Sequence, residues 1–397
     1  MRTETKTRLA LARDERGMAL AIALFAIVVI GALVAGTAFA GQLEMGGGRS
    51  AMATSQAMEQ AETGLADAFE NWSPNWNTLP AGDSAFGPTT SSNGGNGAVN
   101  RRTYRVLRLG GAMAFVHSTG ERLSAGGQIL ASRELGMLAR IHEPDVEVDA
   151  AVEGMGDVRV GGTSKVSGFD SNPSGWSSEC TGGTLDDVPG VRASGAVQTN
   201  GGGEILGEAS PTDPWVANDA SVTAQNFQNI YDALLPSVTR TMAGTSYNGM
   251  VPTVAGASVC NRGDLNNWGE PGDPAYGPLV PQCRTFMPVT LFTGNTTINN
   301  GRGQGIIIVQ GDLRFQGTFI FDGIVLATGN IDFHGAGGAS SRIYGGLFSA
   351  NTIDVDDLIA IAGAPIITYS SCAVAAVLAS AGRGIPLSKR GWVQIVY

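Results

Sequence analysis

Histidine moves protons most readily near neutral pH, and this chain of 397 residues has three: His117, His142 and His334. No Ser-His-Asp order and no His-x-x-x-His spacing is present, so neither a hydrolytic triad nor a zinc protease site is expected. Asp354, Asp356 and Asp357 cluster about Val355, a set that suits a solvated turn better than a Ca²⁺ site. Asp264 to Asp273 (DLNNWGEPGD) superficially resembles a Ca²⁺ loop but lacks the EF-hand spacing and its terminal Glu. No catalytic residue, metal ligand or cofactor is therefore assigned. The four cysteines, Cys180, Cys260, Cys283 and Cys372, allow three pairings. Cys260 and Cys283 flank a loop rich in Gly, Pro, Asn and Asp and form the favoured disulfide. Cys180 with Cys372 follows by elimination, with free buried thiols the alternative for that second pair. No Cys-x-x-Cys spacing points to zinc or thioredoxin-like chemistry.

These residues must be positioned by a chain that begins unusually. Met18 to Ala40 is a run of 23 uncharged, mostly apolar residues. At ~1.5 Å per residue a helix of this length matches a bilayer's hydrocarbon core. Before it stand Arg2, Lys6, Arg8, Arg13 and Arg16 against Glu4, Asp14 and Glu15. That bias places the N-terminus in the cytoplasm and the remainder across the membrane, where disulfides persist. A secretory signal cut after Ala40, behind Thr37-Ala38-Phe39-Ala40, is the competing reading. The net charge of −10 excludes a general nucleic-acid footprint.

The basic leader, Arg16-Gly17 and Met18 opening the apolar helix together resemble a class III, prepilin-type signal. RGMALAIALFAIVVIGALVAG, followed by Gln56 to Leu65 (QAMEQAETGL), resembles the PilX-type minor pilin family in particular. The resemblance implies cleavage between Gly17 and Met18 by a prepilin peptidase, with the apolar helix retained. It also implies lateral packing with other pilin or pseudopilin helices, for which Gly31, Ala32 and Gly36 offer a close approach. Major pilins carry Glu at the fifth mature position; here it is Ile22, which argues against a repeating filament subunit.

Further along, Met58, Ala61, Leu65, Ala68, Phe69 and Trp72 fall on one helical stripe. Residues 41–72 are thus the expected periplasmic continuation of the pilin helix, weakened at Gly46-Gly47-Gly48. Residues 73–152 read as a small β head: an exposed loop to Asn100, strands Arg101 to Leu109 and Ala112 to His117 about Gly110-Gly111, an S-x-G turn at Ser118 to Gly120, and strands Gln128 to Ile141 and Val146 to Val152. From 153 to 397 the text is Gly-rich. Gly305-Ile306-Ile307-Ile308-Val309 then Gly311-Asp312-Leu313-Arg314-Phe315 returns eighteen residues later as Gly323-Ile324-Val325-Leu326-Ala327 then Gly329-Asn330-Ile331-Asp332-Phe333. A looser copy begins at Gly345, and an early one is Gly156 to Val160. Short strands, turn residues and a period of ~20 indicate a β-solenoid. Residues 171–302 read as a loop-rich insertion on its side, with a helix at Asn226 to Leu235.

The expected fold is mainly β with a long N-terminal α-helix: a pilin-like helix plus small β head, then β-solenoid-like repeats. The expected segments are a cytoplasmic leader 1–17, a transmembrane helix 18–40, and the regions above. The expected function is that of a non-enzymatic minor pilin or pseudopilin in the inner membrane, crossing once and reaching the cell surface when assembled. Its expected partners are other pilins, the prepilin peptidase and the membrane, with no nucleic acid. The alternatives are a membrane-tethered β-helical polysaccharide hydrolase or lyase, which needs stacked carboxylates, and a surface adhesin.

Overall fold

The computed structural model describes residues 15–77, 79–176, 180, 186–208, 213–256, 259–273, 277–334, 341–355, 365–387 and 392–395. A long N-terminal helix is followed by mostly β structure in two large sheets and one two-stranded ladder. Helix α1 (Glu15–Glu70) is continuous over 56 residues, about 84 Å at the usual rise. It continues through Gly46-Gly47-Gly48 without a break. Those glycines are exposed and nothing else packs on them, so their cost of ~1 kcal/mol each falls on the helix alone.

The second half of α1 lies on an antiparallel sheet. Its central strands are Val99–Gly110, Met113–Leu123 and Ile129–His142. Ala57, Ala61, Leu65 and Ala68 are buried against Val106, Val116, Leu135 and Ala139. The small residues on this stripe bring the helix backbone very close. A Cβ on Gly120 would sit 2.1 Å from the Ala57 carbonyl oxygen and 2.3 Å from the Ala61 nitrogen. Gly120 therefore lies mid-strand, under the helix, and the expected S-x-G turn is not a turn. Residues 146–151 are also not a strand; Val146, Val148 and Ala150 bury alternate side chains without ladder partners, and pairing begins at Val152–Gly154.

The chain then leaves the head for a parallel solenoid of sixteen described strands. The two best repeats stack as the eighteen-residue spacing demands: Gly305 on Gly323, Ile307 on Val325, and Arg314 on Asp332. Gly323 stacks in turn on Gly345. The repeated glycine has a corner role. Gly323 has φ +141°, and a Cβ there would sit 1.9 Å from the Gly305 carbonyl oxygen. Inside, Phe315 stacks on Phe333 with centroids 4.8 Å apart, and Ile306, Ile307, Ile308 and Val309 are all buried. Each such side chain contributes ~1.5–3 kcal/mol by leaving water.

The coils are not in chain order. Residues 152–167 form a central coil, and 191–206 stack on one side of it. Helix α2 (Ala224–Leu234), capped by Thr223, leads to strands Arg240–Ala243 and Ser246–Met250 at the other end of the stack. Coils from Val289 onward return, and Leu347, Ile353 and Ile366 close the stack on Val152, Val158 and Lys165. The segment 171–302 is therefore not a single side insertion: 191–206, 240–250 and 289–302 are solenoid coil, and the stretches between them leave the stack.

Helix α3 (Ser371–Ala381) follows, and then the chain re-enters the head. Arg383–Pro386 pairs with 139–142, and Trp392–Ile395 with 134–137. The expected solenoid boundary of 153–397 is thus corrected: the last strands complete the head sheet, and the solenoid is inserted between two neighbouring head strands.

Candidate functional site: an exposed apolar rod and the head it carries

From Met18 to Phe39 every residue of α1 is exposed, although the segment is almost wholly apolar. Phe25 and Ile27 are each 70% accessible. This is the one helix among the described residues long and apolar enough to cross a membrane. Water would penalise so much uncovered surface, so the segment needs lipid or other apolar helices around it. Gly31, Ala32 and Gly36 lie within it, and nothing approaches within 4 Å of a Cβ built on Gly31 or Gly36. These positions are open to a neighbouring helix. Gly17 and Met18 lie in the first turn of α1.

The rod is fixed to the head at several points. Asp67 on α1 pairs with Arg102 of the central sheet, and a Cβ on Gly64 would collide with Ser118 Oγ. Burial, together with the Asp67 carboxylate, pushes the Tyr104 hydroxyl up from its ordinary range. At the end of the helix, Trp72 Nε1 donates to Asn77 Oδ1 at 2.7 Å. The Asn77 amide in turn donates to the carbonyls of Ala379, Ser380 and Gly382, at 3.0, 3.2 and 2.7 Å. One asparagine thereby ties the open C-terminal carbonyls of α3 to the head. Nothing local in the sequence marks Asn77 for this role; the carbonyls it holds lie more than 300 positions away.

Both cystine bridges lie in the solenoid. Cys260 bonds Cys283 across the excursion 251–288, and Cys180 bonds Cys372 at the start of α3. The excursion covers a row of buried polar groups. Glu270 is fully buried and accepts from Gly272 N, Val280 N and Arg302 Nη2 at 2.8, 2.9 and 3.1 Å. Asp273 pairs with Arg342. Asp322 lies nearby, and burial holds its carboxyl well above the usual range. Asp264 accepts from Thr253 Oγ1 and Asn266 N, closing a turn. No group of three potential metal ligands occurs among the described residues; Asp356 and Asp357 lie outside them.

Along partly exposed positions of the coils one register row reads Ser246, Thr297, Arg314, Asp332, Asp354, Arg159 and Gln198. The next reads Asn248, Asn299, Gln316 and His334. Two acids, Asp332 and Asp354, are neighbours in the first row, with Arg314 before them and Arg159 after, and Arg314 pairs with Asp332 at 3.8 Å.

No known family pattern matches this chain, and no curated protein matches it. Among solved structures it is similar to the competence-associated pilin ComZ from Thermus thermophilus, with 11% identity and a TM-score of 0.24 over 86% of this chain and 98% of that one. It is also similar to an ice-binding protein from the Antarctic ascomycete Antarctomyces psychrotrophicus, with 11% identity and a TM-score of 0.25 over 57% of this chain and 98% of that one.

Proposed function

We propose that this chain is a non-enzymatic minor pilin or pseudopilin of the PilX-like kind, made with a class III signal and cut between Gly17 and Met18. The mature rod packs among other pilin helices in the inner membrane, with the leader cytoplasmic and the head and solenoid outside. On assembly the bulky solenoid decorates or primes a filament tip. The observation that carries this reading is α1: one unbroken helix, apolar and uncovered in its first half, and clamped on an antiparallel sheet in its second. A rod merely anchoring an enzyme would not need that rigid coupling to the head. The partly exposed row holds one stacked acidic pair, Asp332 on Asp354, bounded by Arg314 and Arg159, rather than the longer carboxylate ladder expected of the polysaccharide-cleaving alternative.

The test is recovery in sheared surface filaments. The wild-type chain is expected in the filament fraction. Gly31→Leu with Gly36→Leu is expected to reduce that recovery while leaving the membrane-bound amount unchanged. A chain never found with filaments, under conditions where other pilins are, would overturn the proposal.

A further inference from the structure

A cleft of about 840 Å³ opens on the head, between the end of α1 and the loop 79–90. Its volume falls within the range of small-molecule sites. We propose that it binds a neutral saccharide. Two charged side chains line it, Asp67 and Arg102, and they are paired with each other. The cleft therefore offers an ionic ligand no net charge. Around them Asn71, Ser73, Asn75 and Thr90 present amides and hydroxyls, groups that match sugar hydroxyls as both donors and acceptors. At the rim stands Phe86, 75% accessible although it belongs to a paired strand. An exposed aromatic ring beside a polar cleft gives the C–H face of a pyranose a surface to stack on, while the cleft takes its hydroxyls.

The backbone holds this geometry. Gly87 N donates to the Tyr104 carbonyl at 2.9 Å. A Cβ on Gly87 would fall 2.0 Å from the Tyr104 ring, so the loop presses on the sheet and leaves the cleft open beside it. Asn75 also accepts from Arg262 of the solenoid excursion at 3.0 Å, which places the cleft at the junction of head and solenoid.

The experiment uses the full chain in nanodiscs and saturation-transfer NMR. The probes are maltotriose, cellotriose and chitotriose, with trigalacturonate as the charged comparison and trialanine as the peptide comparison. At least one neutral trisaccharide is expected to receive saturation. Phe86→Ala is expected to weaken its binding roughly tenfold, the scale of one lost aromatic contact. Asn71→Ala, a second exposed position, is expected to weaken it too. Circular dichroism of both variants should match the wild type. Transfer to none of the neutral sugars, preference for trigalacturonate or trialanine, or binding unchanged in both variants would each overturn the proposal. None of these outcomes bears on filament recovery, so this result and the pilin reading fail separately.

Discussion

Glu270, within the disulfide-bridged excursion, pairs with Arg302 of the coil beneath it, the carboxylate fully buried and satisfied by three donors. Removing one member of such a pair strands the other away from water, at ~3–5 kcal/mol. Glu270→Ala is expected to lower solenoid stability by about that amount in denaturant melts. Glu153 behaves differently. Burial raises its carboxyl to about 7, with Arg192 opposing the shift and Asp149 and Asp219 reinforcing it. The folded state thus holds this proton more tightly than the unfolded chain does. The resulting penalty is absent below the ordinary value of 4.5 and complete above about 7. Glu153→Gln is expected to stabilise the protein at alkaline pH, on the order of 2 kcal/mol, and to do nothing for it in acid. Thermal melts of both forms across that range check the sign. On the head, Gly120→Val forces a side chain into the α1 backbone, and a loss of ~3 kcal/mol is expected.

The elements divide by how local their signals are. The apolar rod, the helix near Asn226 and the repeat from Gly305 to Phe333 were legible, because length, 3.6-residue periodicity and an eighteen-residue echo lie within a short window. The corner glycines and the Arg314–Asp332 alignment follow from that echo. Of the coil 152–167 only the copy at Gly156 to Val160 was legible, and the coils formed by 191–216 and 240–250 were not. Their strands are two to five residues long, and excursions stretch the spacing between stacked residues such as Val152 and Val191. Helix α3 was missed because SCAVAAVLASA is apolar on all sides and gives no amphipathic signal. Of the candidate site, the exposed rod and its small residues were readable. The Asn77 clamp and the cleft under Phe86 were not, since they arise from contacts between distant segments. At this scale, replacing Cys260 and Cys283 with Ser is expected to cost about 3 kcal/mol for a loop of this size. Hydrogen exchange should quicken in the excursion that holds Glu270 and leave the head unchanged.

At the scale of the whole molecule, the solenoid is a guest within the head. His142 pairs with Arg383, so its two points of attachment are neighbours in one sheet. A chain in which a short Gly-rich linker replaces residues 144–381 is expected to keep the head folded, with Trp72 still covering Gly384; near-ultraviolet circular dichroism checks this. Charge differs across the same boundary. Residues 41–144 carry nine Asp and Glu against eight arginines, whereas residues 145–382 carry 23 Asp and Glu against nine Lys and Arg. A near-neutral head and an acidic body beyond it would keep like solenoids apart, which suits a subunit present singly rather than in a repeating wall. Whether the rod is kept after export decides between a pilin and a secreted protein. Intact-mass measurement of the mature chain, from cells with and without prepilin peptidase, tests this most directly. A chain beginning at Met18 only when the peptidase is present is the predicted result. A chain beginning at Gly41 in both strains would contradict the account.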